Sequence, residues 1–235
     1  EEILYNIGYV DLSTSPLRFF DNRNLKNNHD ISEEMFNKIP KGKYTFLKLH
    51  THYSQRNLEV ILKFSPKVII SKRSLRDALI SRYCHVISDK NHRHHNLVKN
   101  LSYDEGFKKS IIINNETDTP ERPLDYFYNW TKDWLKIIEE KKLNYLILDF
   151  DEIKSDKFEY IKKILNYLNI TEYSPQDIIF KLDKNLKEIE KNSLGKNFNN
   201  FIKPKTFNKK SNEIKQSLNL KEIESFIKKN LPKNY

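Results

Sequence analysis

The sequence predicts an α/β fold of three layers, a central parallel sheet with helices on both faces. Three observations predict it. Val68, Ile69 and Ile70 form a continuous apolar run bounded by Pro66 and by charge, the pattern of a parallel strand buried on both faces. Asn144–Asp149 is a second such run and ends in acids. Between them, Phe127, Trp130, Trp134, Ile137 and Ile138 recur at spacings of three and four, which marks an amphipathic helix over about Pro123–Lys142. Strands separated by helices of this length imply right-handed crossovers and a parallel sheet, with Tyr44–His50, Lys67–Ser71 and Asn144–Asp149 as members.

Taken in order, Ile3–Val10 reads as a strand, followed by a loop through Ser13-Thr14-Ser15-Pro16. Ile31–Lys38 reads as a short helix ended by Pro40 and Gly42. Strand Tyr44–His50 follows, then a helix over Gln55–Lys63 and the strand Lys67–Ser71, which delivers Arg73 at its carboxyl end. Ser74 is a helix N-cap with Asp77 at the N3 position, and Leu75, Leu79 and Tyr83 share one side of the helix it opens. His85, His92, His94 and His95 come next. Their spacing fits no metal-ligand pattern, and a solvated loop is the favoured reading over a metal site.

Residues 101–120 mix helix and loop, with Thr117–Pro120 as a turn. After the strand Asn144–Asp149 come a helix over about Asp156–Leu168 and, from Pro175, helix, loop, helix. The last helix, Leu220–Lys229, turns Ile223, Phe226 and Ile227 inward before Pro232.

A chain of 235 residues buries one good core, and a single domain over 1–235 is expected. Hydrophobic content is 37%, but 14 Phe and 13 Tyr supply apolar bulk, while four Gly and eight Pro exclude collagenous or linker-rich stretches. No apolar run approaches the roughly 18 residues of a membrane span. The lone Cys84 excludes a disulfide within the chain and fits a reducing, cytoplasmic setting. Net charge is +10, with 34 Lys against 8 Arg. Such a balance suits either an anionic partner or a solvated Lys-rich surface. Nucleic acid is not the partner expected.

In open α/β sheets ligands bind outside the carboxyl ends of the strands, where helix N-termini meet phosphate. Lys48-Leu49-His50 and Arg73 fall at such ends, and Arg73-Ser74-Leu75-Arg76-Asp77-Ala78-Leu79-Ile80-Ser81 is followed by Tyr83. In order, gap and hydrophobic framing this resembles the sulfotransferases that use 3′-phosphoadenosine 5′-phosphosulfate (PAPS), whose pattern is K-x-H and then R-x-x-x-D-x-x-x-S. The resemblance covers Tyr44 to about Leu168 well and the remainder loosely. It implies the P-loop-NTPase-like sulfotransferase fold and transfer of a sulfuryl group from PAPS to a hydroxyl (or amine) acceptor, releasing 3′-phosphoadenosine 5′-phosphate (PAP). Compatible acceptors include a small alcohol, a sugar, a lipid and a protein tyrosine.

By the same resemblance Arg73 and Ser81 bind the 3′-phosphate. Phe150 stands where the family has the Tyr that helps hold adenine, and it keeps the stacking face without the hydroxyl. A core role for Phe150 is the other reading. The family's P-K-S-G-T-T loop for the phosphosulfate has no counterpart here. It is expected to precede Glu1, with a degenerate form at Ser13–Ser15 as the alternative. Lys191–Phe201 matches the family's R-K-G segment only at Gly195 and Phe201, with Lys191 or Lys196 as substitutes for its Arg.

The residue chemistry supports the same assignment. Imidazole titrates near neutrality and can take a hydroxyl proton, which suits His50 as general base. Lys48 can stabilise sulfuryl or leaving-group oxygens and, as a neighbouring cation, favours neutral imidazole. His52 points the same way as His50 if the strand continues past residue 50, and the resemblance selects His50. A guanidinium and a hydroxyl are good phosphate donors, although Arg73 pairing with Asp77 and Ser81 bonding back to its helix is the structural alternative. No metal is implied, since protein cations and amides can supply the charge. Two other classes remain open. One is a phosphate-loop kinase or NTPase relative, suggested by the acids that end Asn144–Asp149 but lacking G-x-x-x-x-G-K-[ST]. The other is a non-catalytic basic binding module on the same fold.

Overall fold

In the computed structural model, Val68–Lys72 and Tyr145–Asp149 pair as parallel strands, with Val68 opposite Tyr145 and Lys72 opposite Asp149. The structure describes residues 3–4, 8–11, 31, 33–37, 39, 42, 44–46, 53–113, 122–141, 143–192 and 204–232. Along them run β1 (Val10–Asp11), α1 (Glu33–Asn37), β2 (Thr45–Phe46), α2 (Gln55–Phe64), β3 (Val68–Lys72), α3 (Leu75–Ser88), α4 (His95–Val98) and α5 (Tyr103–Ile112). Then come α6 (Pro123–Lys141), β4 (Tyr145–Asp149), α7 (Glu152–Ser155), α8 (Lys157–Leu168), α9 (Pro175–Asn192), α10 (Pro204–Ser217) and α11 (Leu220–Asn230). The chain divides into two compact units, one of Glu1–Lys72 with Trp134–Lys196, the other of Arg73–Asp133 with Asn197–Tyr235.

One expectation is met in part and another is corrected here. Among the described residues the strands form two separate two-stranded parallel sheets, β1 with β2 and β3 with β4, within a mostly helical chain. Thr45–Phe46 takes Val10–Asp11 as its partner and is not paired with Val68–Lys72 among the described residues, while residues 47–50 of the expected strand Tyr44–His50 lie outside them. Nor is Ile3–Val10 one strand: Ile3 and Leu4 are helical. Gly8 then turns the chain at φ +84°, and the Tyr9 N–H donates to the Leu4 carbonyl at 3.0 Å. A left-handed glycine in mid-run breaks a strand, and the apolar side chain of Ile3 serves the core instead.

In the first unit Ile3, Leu148, Tyr160, Ile161, Ile164, Leu165 and Ile178 form the core, with Ile69 and Leu146 packed against it. Helix α8 is held to the strands by Tyr167. Its hydroxyl accepts from the Val68 N–H at 2.8 Å and lies 3.0 Å from the Asn144 carbonyl, joining the amino ends of β3 and β4. The side chain of Asn57, buried on α2, accepts from the Ile31 N–H at 2.7 Å, so its polar group is satisfied inside the protein.

In the second unit α3 supplies Leu79, Tyr83, Val86 and Ile87 to a core shared with Phe107, Ile111, Leu124, Ile214, Ile223 and Ile227. Tyr83 is wholly buried and meets the Phe107 ring edge-on, centroids 5.8 Å apart. A Cβ at Gly106 would stand 2.4 Å from the Tyr83 hydroxyl oxygen, so only glycine fits. Gly106→Ala is expected to cost about 1–3 kcal/mol, measured by urea unfolding. Adding Tyr83→Phe is expected to recover part of the loss, because the hydroxyl it removes has no hydrogen-bond partner among the described residues.

Candidate functional site

Helix α3 begins where β3 stops. The Ser74 side chain accepts from the Asp77 N–H at 3.2 Å, and the Ala78 N–H donates to the Ser74 carbonyl at 2.9 Å, which caps the helix as its sequence predicts. Arg73 therefore occupies the single position between the last strand residue, Lys72, and the cap. Ser81 lies on the second turn, half-buried between Ile80 and Arg82 in sequence. The Asp77 carboxylate accepts from Arg76 Nε at 3.0 Å, and Arg76 Nη1 donates to Glu224 on α11. These two carboxylates raise the Arg76 pKa.

Strand β4 ends in Asp149, and Phe150 follows it. The Phe150 N–H donates to the Lys72 carbonyl at 2.9 Å, which carries the ladder one residue past the strand. The Phe150 side chain is half-buried. At the same carboxyl ends Lys72 Nζ stands 3.7 Å from the Asp149 carboxylate, whose Oδ1 also accepts from the Asp151 N–H at 2.9 Å. The Lys72–Asp149 pair was missed from sequence because only the strand register creates it.

Arg73 and Phe150 thus each follow the carboxyl end of one of two paired parallel strands, and Arg73 and Ser81 bracket the capped amino end of α3. Lys48, His50, His52, Ser13–Ser15, Thr117–Pro120 and the segment from Gly195 to Phe201 lie outside the described residues. Lys191 falls in the last turn of α9.

The histidine run departs from the solvated loop expected. His94 is buried, and His95 opens the short helix α4. Arg82 explains the difference. Its guanidinium donates to the Ser110 carbonyl at 3.0 Å and to His94 Nδ1 at 2.9 Å, so His94 serves as an acceptor for a half-buried cation. The His92 ring stands against those of His85 and His94, and its Nδ1 accepts from the His94 N–H. Among the described residues no group of three His, Cys, Asp or Glu side chains is arranged to hold a metal ion.

Burial first, and then the charge of Arg82, lower the His92 pKa from 6.5 to about 4. The unfolded chain therefore takes up this proton first as pH falls. The stability contributed by the neutral ring is present above about pH 6.5 and lost from there down to about pH 4. Thermal unfolding across this range is expected to show that loss. His92→Asn, which keeps an acceptor for the His94 N–H, is expected to flatten it.

Among the described residues no helix is long and apolar enough to cross a membrane. No curated protein matches the chain. The family model described as "Sulfotransferase domain" matches residues 20–234, nearly the whole chain. Both Lys48–His50 and Arg73–Ser81 fall inside that span, and the chain belongs to the sulfotransferase domain family.

Proposed function

We propose that this protein is a PAPS-dependent sulfotransferase acting on a hydroxyl (or amine) acceptor. Arg73 carries the reading: it sits between a parallel strand and a Ser74-capped helix, a position suited to anchoring a phosphate. Arg73 and Ser81 hold the 3′-phosphate of the donor, and Phe150 offers its ring to adenine. Family membership over residues 20–234 supports treating both units as parts of one sulfotransferase domain.

In the reaction the acceptor oxygen attacks sulfur while the bond from sulfur to the 5′-phosphate oxygen breaks. The electron pair of that bond leaves with PAP. His50 takes the acceptor's proton, and the Lys48 ammonium offsets charge on the sulfuryl and leaving oxygens. No metal is needed for this charge balance.

Calorimetric titration with PAP tests the reading. Micromolar binding supports it; no binding at millimolar PAP overturns it.

A further inference from the structure

We propose that Glu224 and Arg76 are positioning residues for the 3′-phosphate site, an inference that rests on the nucleotide reading above. Arg76 lies three residues beyond Arg73, in the first turn of the helix that carries Ser81. Its guanidinium bridges two carboxylates, Asp77 on its own turn and Glu224 on α11, 148 residues away in sequence from Arg76. Asp77 in turn supplies the N–H that bonds the Ser74 cap. The capped turn that begins immediately after Arg73 is thereby linked through Arg76 to the last helix of the chain.

That helix is well placed to act as a fixed support. Ile223 and Ile227 are buried in the core shared with α3, and the Glu222 carboxylate accepts from Lys108 on α5. At one end the Asn219 N–H donates to Asp104 at 3.1 Å; at the other, Arg122 donates to the Asn230 carbonyl at 3.1 Å. Contacts at both ends and a buried face fix the register of α11, and with it the position of Glu224. An arginine fork held by two carboxylates has little rotational freedom, unlike a lysine in the same place.

Positioning and simple electrostatics predict opposite signs. Arg76, Asp77 and Glu224 together carry one net negative charge, which by itself repels a phosphate. Neutralising Glu224 removes that charge. If charge alone mattered, Glu224→Gln would tighten PAP binding; if Glu224 holds the turn in place, the substitution weakens it.

The test is calorimetric titration of the unaltered chain, Glu224→Gln, Glu224→Asp and Arg76→Gln with PAP and with adenosine 5′-phosphate, which lacks the 3′-phosphate. Glu224→Gln and Arg76→Gln are expected to weaken PAP binding about three- to tenfold, the scale of coupling between contacting residues. Both should leave adenosine 5′-phosphate affinity unchanged, and Glu224→Asp should restore PAP affinity. Unchanged or tighter PAP binding by Glu224→Gln overturns the inference, as does an equal loss for both nucleotides, which would mark general loosening of the fold. Failure of the unaltered chain to bind PAP overturns the nucleotide reading and this inference with it.

Discussion

His50→Ala is expected to lower kcat for sulfuryl transfer by about 10²–10⁴-fold, the usual contribution of a positioned general base. PAP affinity is expected to stay nearly constant, because the imidazole acts on the acceptor's proton and not on the nucleotide. A hydroxyl is a poor nucleophile until its proton is removed, and imidazole is the side chain whose ordinary pKa lies near the working pH. In the proposed mechanism the ammonium of Lys48, two residues away in sequence, favours the neutral imidazole that a base must have. The measurement is PAP release from PAPS in the presence of simple alcohols, phenols and sugars as acceptors, followed as a function of pH. In the unaltered protein the rate should fall on the acid side as His50 takes up a proton, and in His50→Ala that limb should vanish. His52→Ala is the control, since His52 is the neighbouring histidine that shares a side with His50 if the expected strand runs on past residue 50. Retention of the acid limb in His50→Ala, with its loss in His52→Ala, would transfer the role to His52. Retention in both would remove a histidine base from the mechanism.

How far the sequence reads through to the structure depends on the range of the interactions involved. The strand around Val68–Ile70, the Ser74 cap and the inward faces of α3 and α6 are local consequences of apolar period and capping chemistry, and they appear where expected. Strand partnership is not local. Nothing in Tyr44–Phe46 states that it will take Val10–Asp11 as its partner, and a parallel register emerges only when distant segments pack. The turn at Gly8 was visible as a residue but not as a break, because an apolar run around it mimics a strand. His94 looked like a surface residue because the cation that buries it, Arg82, lies a full helix turn and a loop earlier. At the candidate site the place of Arg73 just before the capped helix and of Ser81 on that helix was legible from the sequence. The Glu224 partner of Arg76 was not, since no period or motif connects residues so far apart.

Arg73→Ala is expected to weaken PAP binding by about 10–100-fold, the range for hydrogen bonds to a charged group. The location sets both the size and the selectivity of the effect. Arg73 leaves β3 at its carboxyl end and precedes a capped helix whose first N–H groups carry partial positive charge, so a phosphate there meets a guanidinium and a helix terminus together. Alanine removes the guanidinium and leaves the helix terminus, which is why the loss should be large without reaching the non-binding limit. Lysine restores charge without the planar fork, and Arg73→Lys should therefore recover only part of the affinity. Adenosine 5′-phosphate separates the sources of binding: without a 3′-phosphate it should bind the unaltered chain and Arg73→Ala alike. Unaltered thermal unfolding of Arg73→Ala would show that the Ser74 cap and the Leu79–Tyr83 face still hold α3 in place. Equal PAP affinity in the unaltered and Arg73→Ala proteins would remove Arg73 from the nucleotide site. A parallel loss for both nucleotides would instead place Arg73 against adenosine or its 5′-phosphate. Selective loss of PAP affinity is the result that ties the strand-to-helix junction of β3 and α3 to the 3′-phosphate.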